Sequence, residues 1–176
     1  MAIIELATLP DHLDADQIEA TMAFLDEEAS EPVDLATDED GRIIESNIDD
    51  DVFVDFRDRL AANDLDAEVY VPIEFEDVTE VAGMRVGSTY ALQLVLDSLR
   101  EDFFIEDPGD GDTEMDEDAD DDFERGVEDE EGSDGLYEGE DGGIEMKDEQ
   151  LRHVWRIMHT AAKESLSCNL SVFLLD

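Results

Sequence analysis

Carboxylates constrain this chain more than any other feature: 54 Asp and Glu stand against 10 Lys and Arg, a formal net charge of -44. In dilute buffer a chain of that charge repels itself, which opposes every compact state. The Debye length falls from about 10 Å at 0.1 M salt to about 3 Å at 1 M, so molar salt removes most of that penalty. The acid is not confined to one tail. Residues 107–145 hold 20 of the acidic residues against Arg125 alone, yet the remainder still carries 34 acidic and 9 basic residues. A single-sign run by itself would point to an interaction tail; the excess throughout points to a solvated, salt-adapted surface with a denser stretch added to it.

Only two of the basic residues are lysines, Lys147 and Lys163. Abundant acid with scarce lysine is similar in composition to the proteins of halophiles that accumulate salt, and it predicts a halophilic, cytoplasmic protein. Such a surface is expected to gather K+ or divalent cations diffusely, without a defined metal site or other cofactor. It speaks against nucleic acid and against anionic lipid, both of which need Lys and Arg to neutralise phosphate. One cysteine, Cys168, excludes an intrachain disulfide framework or a multi-cysteine metal site. The opening residues lack the charged and apolar regions of a secretory leader, and no run of 18 apolar residues is present to span a membrane.

The 176 residues suit one domain. Residues 2–9 read as an apolar strand ended by Pro10 and Asp11. Asp14 and Gln17 form a capping box for a helix to about Ala29, with Leu13 and Ile18 as a staple. Its face is Ile18, Thr21, Met22, Leu25 and Ala29, and Phe24 falls off it. Asp40-Gly41 between residues 33–36 and 42–45 predicts a hairpin. A helix over 50–62 buries Val52, Phe53, Phe56 and Leu60, with Asp49, Asp50 and Asp51 at its start. Residues 67–75 alternate Val69, Val71, Ile73 and Phe75 on one side, as a strand does. Pro72 places that strand at an edge or sits at an unpaired position itself.

A loop through Gly83 and Gly87 then leads to a helix over 88–102, striped with Leu92, Val95, Leu96, Leu99 and Phe103. Tyr90 and Leu94 widen its apolar surface, so it is expected either at the centre of the core or in a contact between copies, with the core favoured. Residues 107–145 bury too little to offset an ordering entropy of roughly 1–2 kcal/mol per residue and read as a disordered acidic insertion. A helix over 147–167 and a strand over 169–175 follow. A strand that apolar must be paired, so residues 146–176 are expected to complete the domain begun by 1–106. The fold class is α+β with a mixed or antiparallel sheet. The first six elements, βαββαβ, match in order the split βαβ arrangement of ferredoxin-like domains.

Carboxylates near one another carry little information in so acidic a chain. The stretch 110–121 lacks the Gly at position six and Glu at position twelve of a calcium loop. His153 and His159 lie six apart on one helix and face different ways, so they cannot chelate one metal. No oriented nucleophile and base is legible around Ser165, Ser167 or Cys168. The stretch Arg85, Gly87, Ser88 and Thr89 lies between a strand and a helix, where anions often bind, although it fits no phosphate-loop pattern. The informative exception is the last helix. Leu151, Val154, Trp155, Met158, Ala161, Ala162 and Leu166 gather on one face, and Arg152, Arg156, His159 and Lys163 form a basic stripe beside it.

That stripe has three readings. It pairs with the chain's own acidic surface or draws residues 107–145 across itself; it docks an acidic or phosphorylated protein partner; or His159 serves catalysis with the arginines. The expectation adopted is a non-enzymatic interaction or regulatory module, with a homo-oligomer open. The alternatives are a small metal-dependent enzyme acting on a phosphate-containing substrate, and a structural subunit of a larger assembly.

Overall fold

The computed structural model describes residues 1–37, 41–103 and 142–175. β1 (Ala2–Ala7) opens the chain and stops before Thr8. The Thr8 backbone N–H and hydroxyl both donate to Asp11 Oδ2, at 3.0 and 2.7 Å, which turns the backbone into the short α1 (Leu9–His12). These two bonds hold the Asp11 carboxyl below its ordinary value. The strand expected to continue to Leu9 is cut short by that turn.

α2 (Ala15–Glu28) starts on the capping box: Gln17 N–H donates to Asp14 Oδ1 at 2.9 Å, and Asp14 N–H donates to Gln17 Oε1 at 3.1 Å. Thr21 and Leu25 are buried on its face, and Phe24 stands edge-on to Phe75 with ring centroids 5.3 Å apart. β2 (Arg42–Ile48) pairs antiparallel with β1 and not with residues 33–36, which form no strand. The hairpin expected around Asp40-Gly41 is therefore absent. Ala36 N–H donates instead to the Asn169 carbonyl at 2.9 Å. Among the described residues one strand, not two, separates α2 from α3 (Asp50–Ala61), so they do not show the βαββαβ order. Asp49 caps α3 by accepting from Asp51 N–H and Val52 N–H.

β3 (Val69–Val71) is followed by a hairpin where the sequence reads as a loop: β4 (Thr79–Val81) and β5 (Met84–Ser88). Ala82 and Gly83 between them have φ of 51° and 80°, the mirror-image turn whose twist suits two antiparallel strands. α4 (Thr89–Leu99), α5 (Gly142–Cys168) and β6 (Ser171–Leu175) complete the chain. The six strands form one mixed sheet in the order β2-β1-β6-β3-β5-β4, parallel only between β3 and β5. The class is α+β.

β6 lies between β1 and β3. β3 is internal too, and Pro72 falls just past its end, where no ladder donor is needed. Of the two placements read from Pro72, the unpaired position is the one seen and the edge placement is corrected: the edges are β2 and β4.

Period-two alternation sends side chains to two cores. Ile4, Leu6, Tyr70, Val172 and Leu174 join α3, α4 and α5 on one face. Ala7, Val69, Val71, Val86 and Phe173 join Leu9 of α1 and Leu25 of α2 on the other. Each fully buried Leu or Phe contributes about 1.5–3 kcal/mol of transfer free energy. Leu92, Leu96, Leu99 and Phe103 are buried as their spacing requires, but Tyr90 and Leu94 are 44% and 72% exposed. Burial of those two inside the fold is corrected accordingly: spaced i, i+4, they stand on the side of α4 turned from α5 and the sheet.

Candidate functional site

α5 is amphipathic at helical spacing, and the layer formed with α3 and α4 uses its apolar side. Leu151, Val154, Trp155, Met158, Ala161 and Ala162 are buried. Leu166 is only half-buried, and Ser165 takes the interior place beside it. The Ser165 hydroxyl donates to the Leu170 carbonyl at 2.6 Å, which leaves its oxygen to accept from Thr89 Oγ1 at 3.2 Å. Trp155 Nε1–H donates to the Leu96 carbonyl at 2.8 Å, tying α5 to α4, and Arg100 lies 5.8 Å from the centroid of its ring.

The basic stripe does not behave as one unit. His159 is its inward member: its side chain is 12% exposed, lies 3.2 Å from Asp97 Oδ1 and stacks on Trp155 with centroids 4.7 Å apart. Burial pushes its imidazole below the ordinary value of 6.5, and the nearby charge of Lys163 adds to this, against the pull of Asp97. Arg156 and Lys163 are exposed and Arg152 is half-buried. None of the three makes an ion pair or hydrogen bond to a side chain among the described residues. Asp148 and Glu149 share a depression of about 370 Å³ with Arg152 and Arg156, yet stay beyond ion-pair distance. His153, on another face of the helix, is 3.6 Å from Glu45.

The other described cations are occupied. Arg42 meets Glu164 at 2.6 Å, Lys147 meets Asp55 at 2.5 Å, and Arg57 and Arg85 meet the two oxygens of Asp66 at 2.7 and 2.6 Å. Arg59 lies over the ring of Phe103. The hydrogen bond to Asp55 raises the Lys147 amine above its ordinary value.

The stretch Arg85, Gly87, Ser88 and Thr89 is the end of β5 and the start of α4; Ser88 and Thr89 are buried, while Arg85 is exposed. Arg85 N–H donates to Glu68, and its guanidinium is held by Asp66. Ser88 caps α4 by accepting from Ala91 N–H at 3.4 Å while donating to the Ile73 carbonyl at 2.6 Å. Gly87 lets Tyr70 approach: a Cβ there would lie 2.9 Å from Tyr70 Cδ1. The buried Tyr70 hydroxyl donates to the Leu65 carbonyl and accepts from Ala67 N–H, and burial drives its pKa well above the ordinary value. Carboxylates already surround the one cation of this stretch.

The calcium-like stretch 110–121 and most of the acidic insertion at 107–145 lie outside the described residues; its last residues, from Gly142, already belong to α5. Among the described residues no cluster of three or more His, Cys, Asp and Glu is placed to hold a metal, and no helix is long and apolar enough to cross a membrane. What spacing alone could not reveal is the cleft of about 230 Å³ where Glu45 and Asn47 of β2 face Gln150 and His153 of α5, since it depends on β2 lying at the sheet edge. No family model, curated protein or solved structure matches the chain.

Proposed function

We propose that the chain is a non-enzymatic interaction module that presents Arg152, Arg156 and Lys163 to an acidic or phosphorylated protein partner, and that its acidic surface suits it to concentrated salt. The observation that carries the reading is the unpaired state of these three cations among the described residues, in a molecule that supplies 54 carboxylates and occupies the other described cations. Arg152 and Arg156 are one turn apart, the separation at which two guanidinium forks can take successive carboxylates or one phosphate. Competition from the polar groups around Arg85 is weak, because each has an internal partner.

Salt decides whether such a ridge works. At low ionic strength the net charge repels an acidic ligand at long range, whereas in molar salt only charges within about 3 Å are felt. Binding should therefore rise with KCl before it falls. The test is fluorescence anisotropy of a labelled octaglutamate peptide and a phosphoserine peptide of the same length, from 0.2 to 3 M KCl. Arg152→Ala/Arg156→Ala/Lys163→Ala should weaken the tighter of the two at least tenfold near 1 M. Equal affinity for native and triple variant would remove the ridge as the docking face.

A further inference from the structure

We propose that two copies of this chain join edge to edge through β2, so that their six-stranded sheets become one continuous sheet. The join is independent of the docking role of the basic ridge.

The two edges of the sheet differ. β4 is three residues long, carries the exposed Glu80 and follows Glu76 and Asp77. A short, charged edge of this kind resists further pairing. β2 is seven residues long, contains neither Pro nor Lys, and exposes Ile43 at 58%. Among the described residues its one neighbouring strand is β1, so its other side offers backbone N–H and C=O groups to a further strand.

Charge identifies the strand that fits there. In a chain of -44 most of the surface repels a second copy. β2 is locally neutral, with Arg42 and Glu45 as its charges. Its extra residue at Ile44 leaves Arg42 opposite Leu6 and Glu45 opposite Ile4, and both of those partners face the helical core. Arg42 and Glu45 therefore share the helix face, where they meet Glu164 and His153 of α5. α5 presents a similar balance to this edge. Gln150 and His153 line the cleft beside β2, Glu164 reaches Arg42, and Met146, Ile157 and Thr160 share that side of the helix by spacing. Met146, Gln150, Ile157 and Thr160 carry no charge, and Met146 is 66% exposed.

Antiparallel pairing about a two-fold axis normal to the sheet sets Ile43 against Ile43 of the partner subunit. Each Arg42 then lies one residue from the position opposite Glu45 of the partner subunit, on the same face. Like residues meet at the axis, and there the pair is apolar; a register centred on Glu45 opposes two carboxylates. Such an axis keeps both helical layers on one face of the joined sheet, with the two α5 helices flanking the seam. Asp38, Glu39 and Asp40 precede β2 and Asp49, Asp50 and Asp51 follow it, so the join forms only where salt screens them.

Sedimentation equilibrium of the full chain from about 0.2 to about 3 M KCl tests the join. The mass should rise from that of one chain at the lowest salt to that of two above about 1 M. Ile43→Glu removes the apolar contact and opposes two carboxylates at the axis, and should hold the mass at one chain throughout with an unchanged far-ultraviolet spectrum. Leu94→Glu, which charges the exposed apolar residue of α4, should leave the doubled mass. A single-chain mass at every KCl concentration overturns the inference, as does a doubled mass that Ile43→Glu leaves intact or that Leu94→Glu abolishes.

Crosslinking provides the second readout. Directly opposed residues of antiparallel strands have Cα atoms about 4.5–5.5 Å apart, within the span of a disulfide. Cys168 is the one cysteine of the chain, so Ile43→Cys/Cys168→Ser carries a thiol at the seam alone. Oxidation by copper(II) phenanthroline at high KCl should join two such copies, the two thiols forming one S–S bond and giving up two protons and two electrons to the copper. Leu94→Cys/Cys168→Ser should remain a single chain under the same treatment. Equal yields of joined chain from the two variants overturn the seam.

Discussion

Arg57 and Arg85 grip the two oxygens of one carboxylate, whereas Arg152, Arg156 and Lys163 are gripped by none of the described carboxylates, although both groups sit in the same chain of -44. Average charge cannot explain the difference, since acid is plentiful near both. Position explains it. Asp66 is fixed between the end of α3 and β3, so its carboxylate faces both guanidinium groups from a half-buried site. On α5, Asp148 and Glu149 share the helix and a depression with Arg152 and Arg156 but stay beyond ion-pair distance. The first group ties α3 and β5 to Asp66; the second makes no such tie among the described residues.

The largest effect expected from this contrast is on Asp66. Removing one member of a buried pair costs about 3–5 kcal/mol, but Arg85 is 44% exposed and water can take its charge. Asp66→Ala should therefore lower stability by about 2–3 kcal/mol in urea unfolding at fixed KCl. A loss under about 0.5 kcal/mol, the usual scatter of surface changes, would erase the distinction between the two groups.

A smaller effect divides the basic stripe itself. His159 faces Asp97, Lys163, Arg100 and Trp155, and its folded pKa lies below the ordinary 6.5. Between the two values the unfolded chain binds more protons than the folded one, so stability rises with pH there. The contribution is complete above about 6.5 and is lost as pH falls from there toward the folded value. Unfolding midpoints at pH 7.5 and 5.5 should fall further for the native chain than for His159→Gln. Parallel losses would return His159 to the set of Arg152, Arg156 and Lys163.

The smallest effect is expected where the ridge is cut. Arg152→Ala, Arg156→Ala and Lys163→Ala should each change stability by no more than about 0.5 kcal/mol, because no described partner is left unsatisfied. A thermal unfolding scan of the triple variant in 1 M KCl checks this. A loss of several kcal/mol would mean that the three cations serve the fold as Arg57 and Arg85 do.

Much of this was legible from local chemistry. The Asp14–Gln17 box, the Asp49 cap and the α5 stripe all follow from side chains close in sequence, whereas the alternation over 67–75 gave a strand only at Val69–Val71, Ile73 and Phe75 lying past its end. The misses share a cause as well. Asp40-Gly41 looked like a hairpin turn because it lies between two apolar stretches, but β2 found its partner in β1. Ala82-Gly83 made the actual hairpin, and its signal was hidden because Thr79–Val81 is three residues long and acidic in part. Tyr90 and Leu94 are apolar without being core, a distinction that depends on which side of α4 meets α5.

By itself the sequence determined the charge, the faces of α3 and α5, and the grouping of Arg152, Arg156, His159 and Lys163 along one helix, because each of these is set by composition or by the 3.6-residue period. Tertiary structure alone decided that His159 turns inward onto Trp155 and Asp97, that Arg85 is neutralised by Asp66, and that Arg152, Arg156 and Lys163 have no described carboxylate within reach. Pairing of charges falls off within a few ångströms in salt, and which groups come that close depends on the packing of elements far apart in the chain.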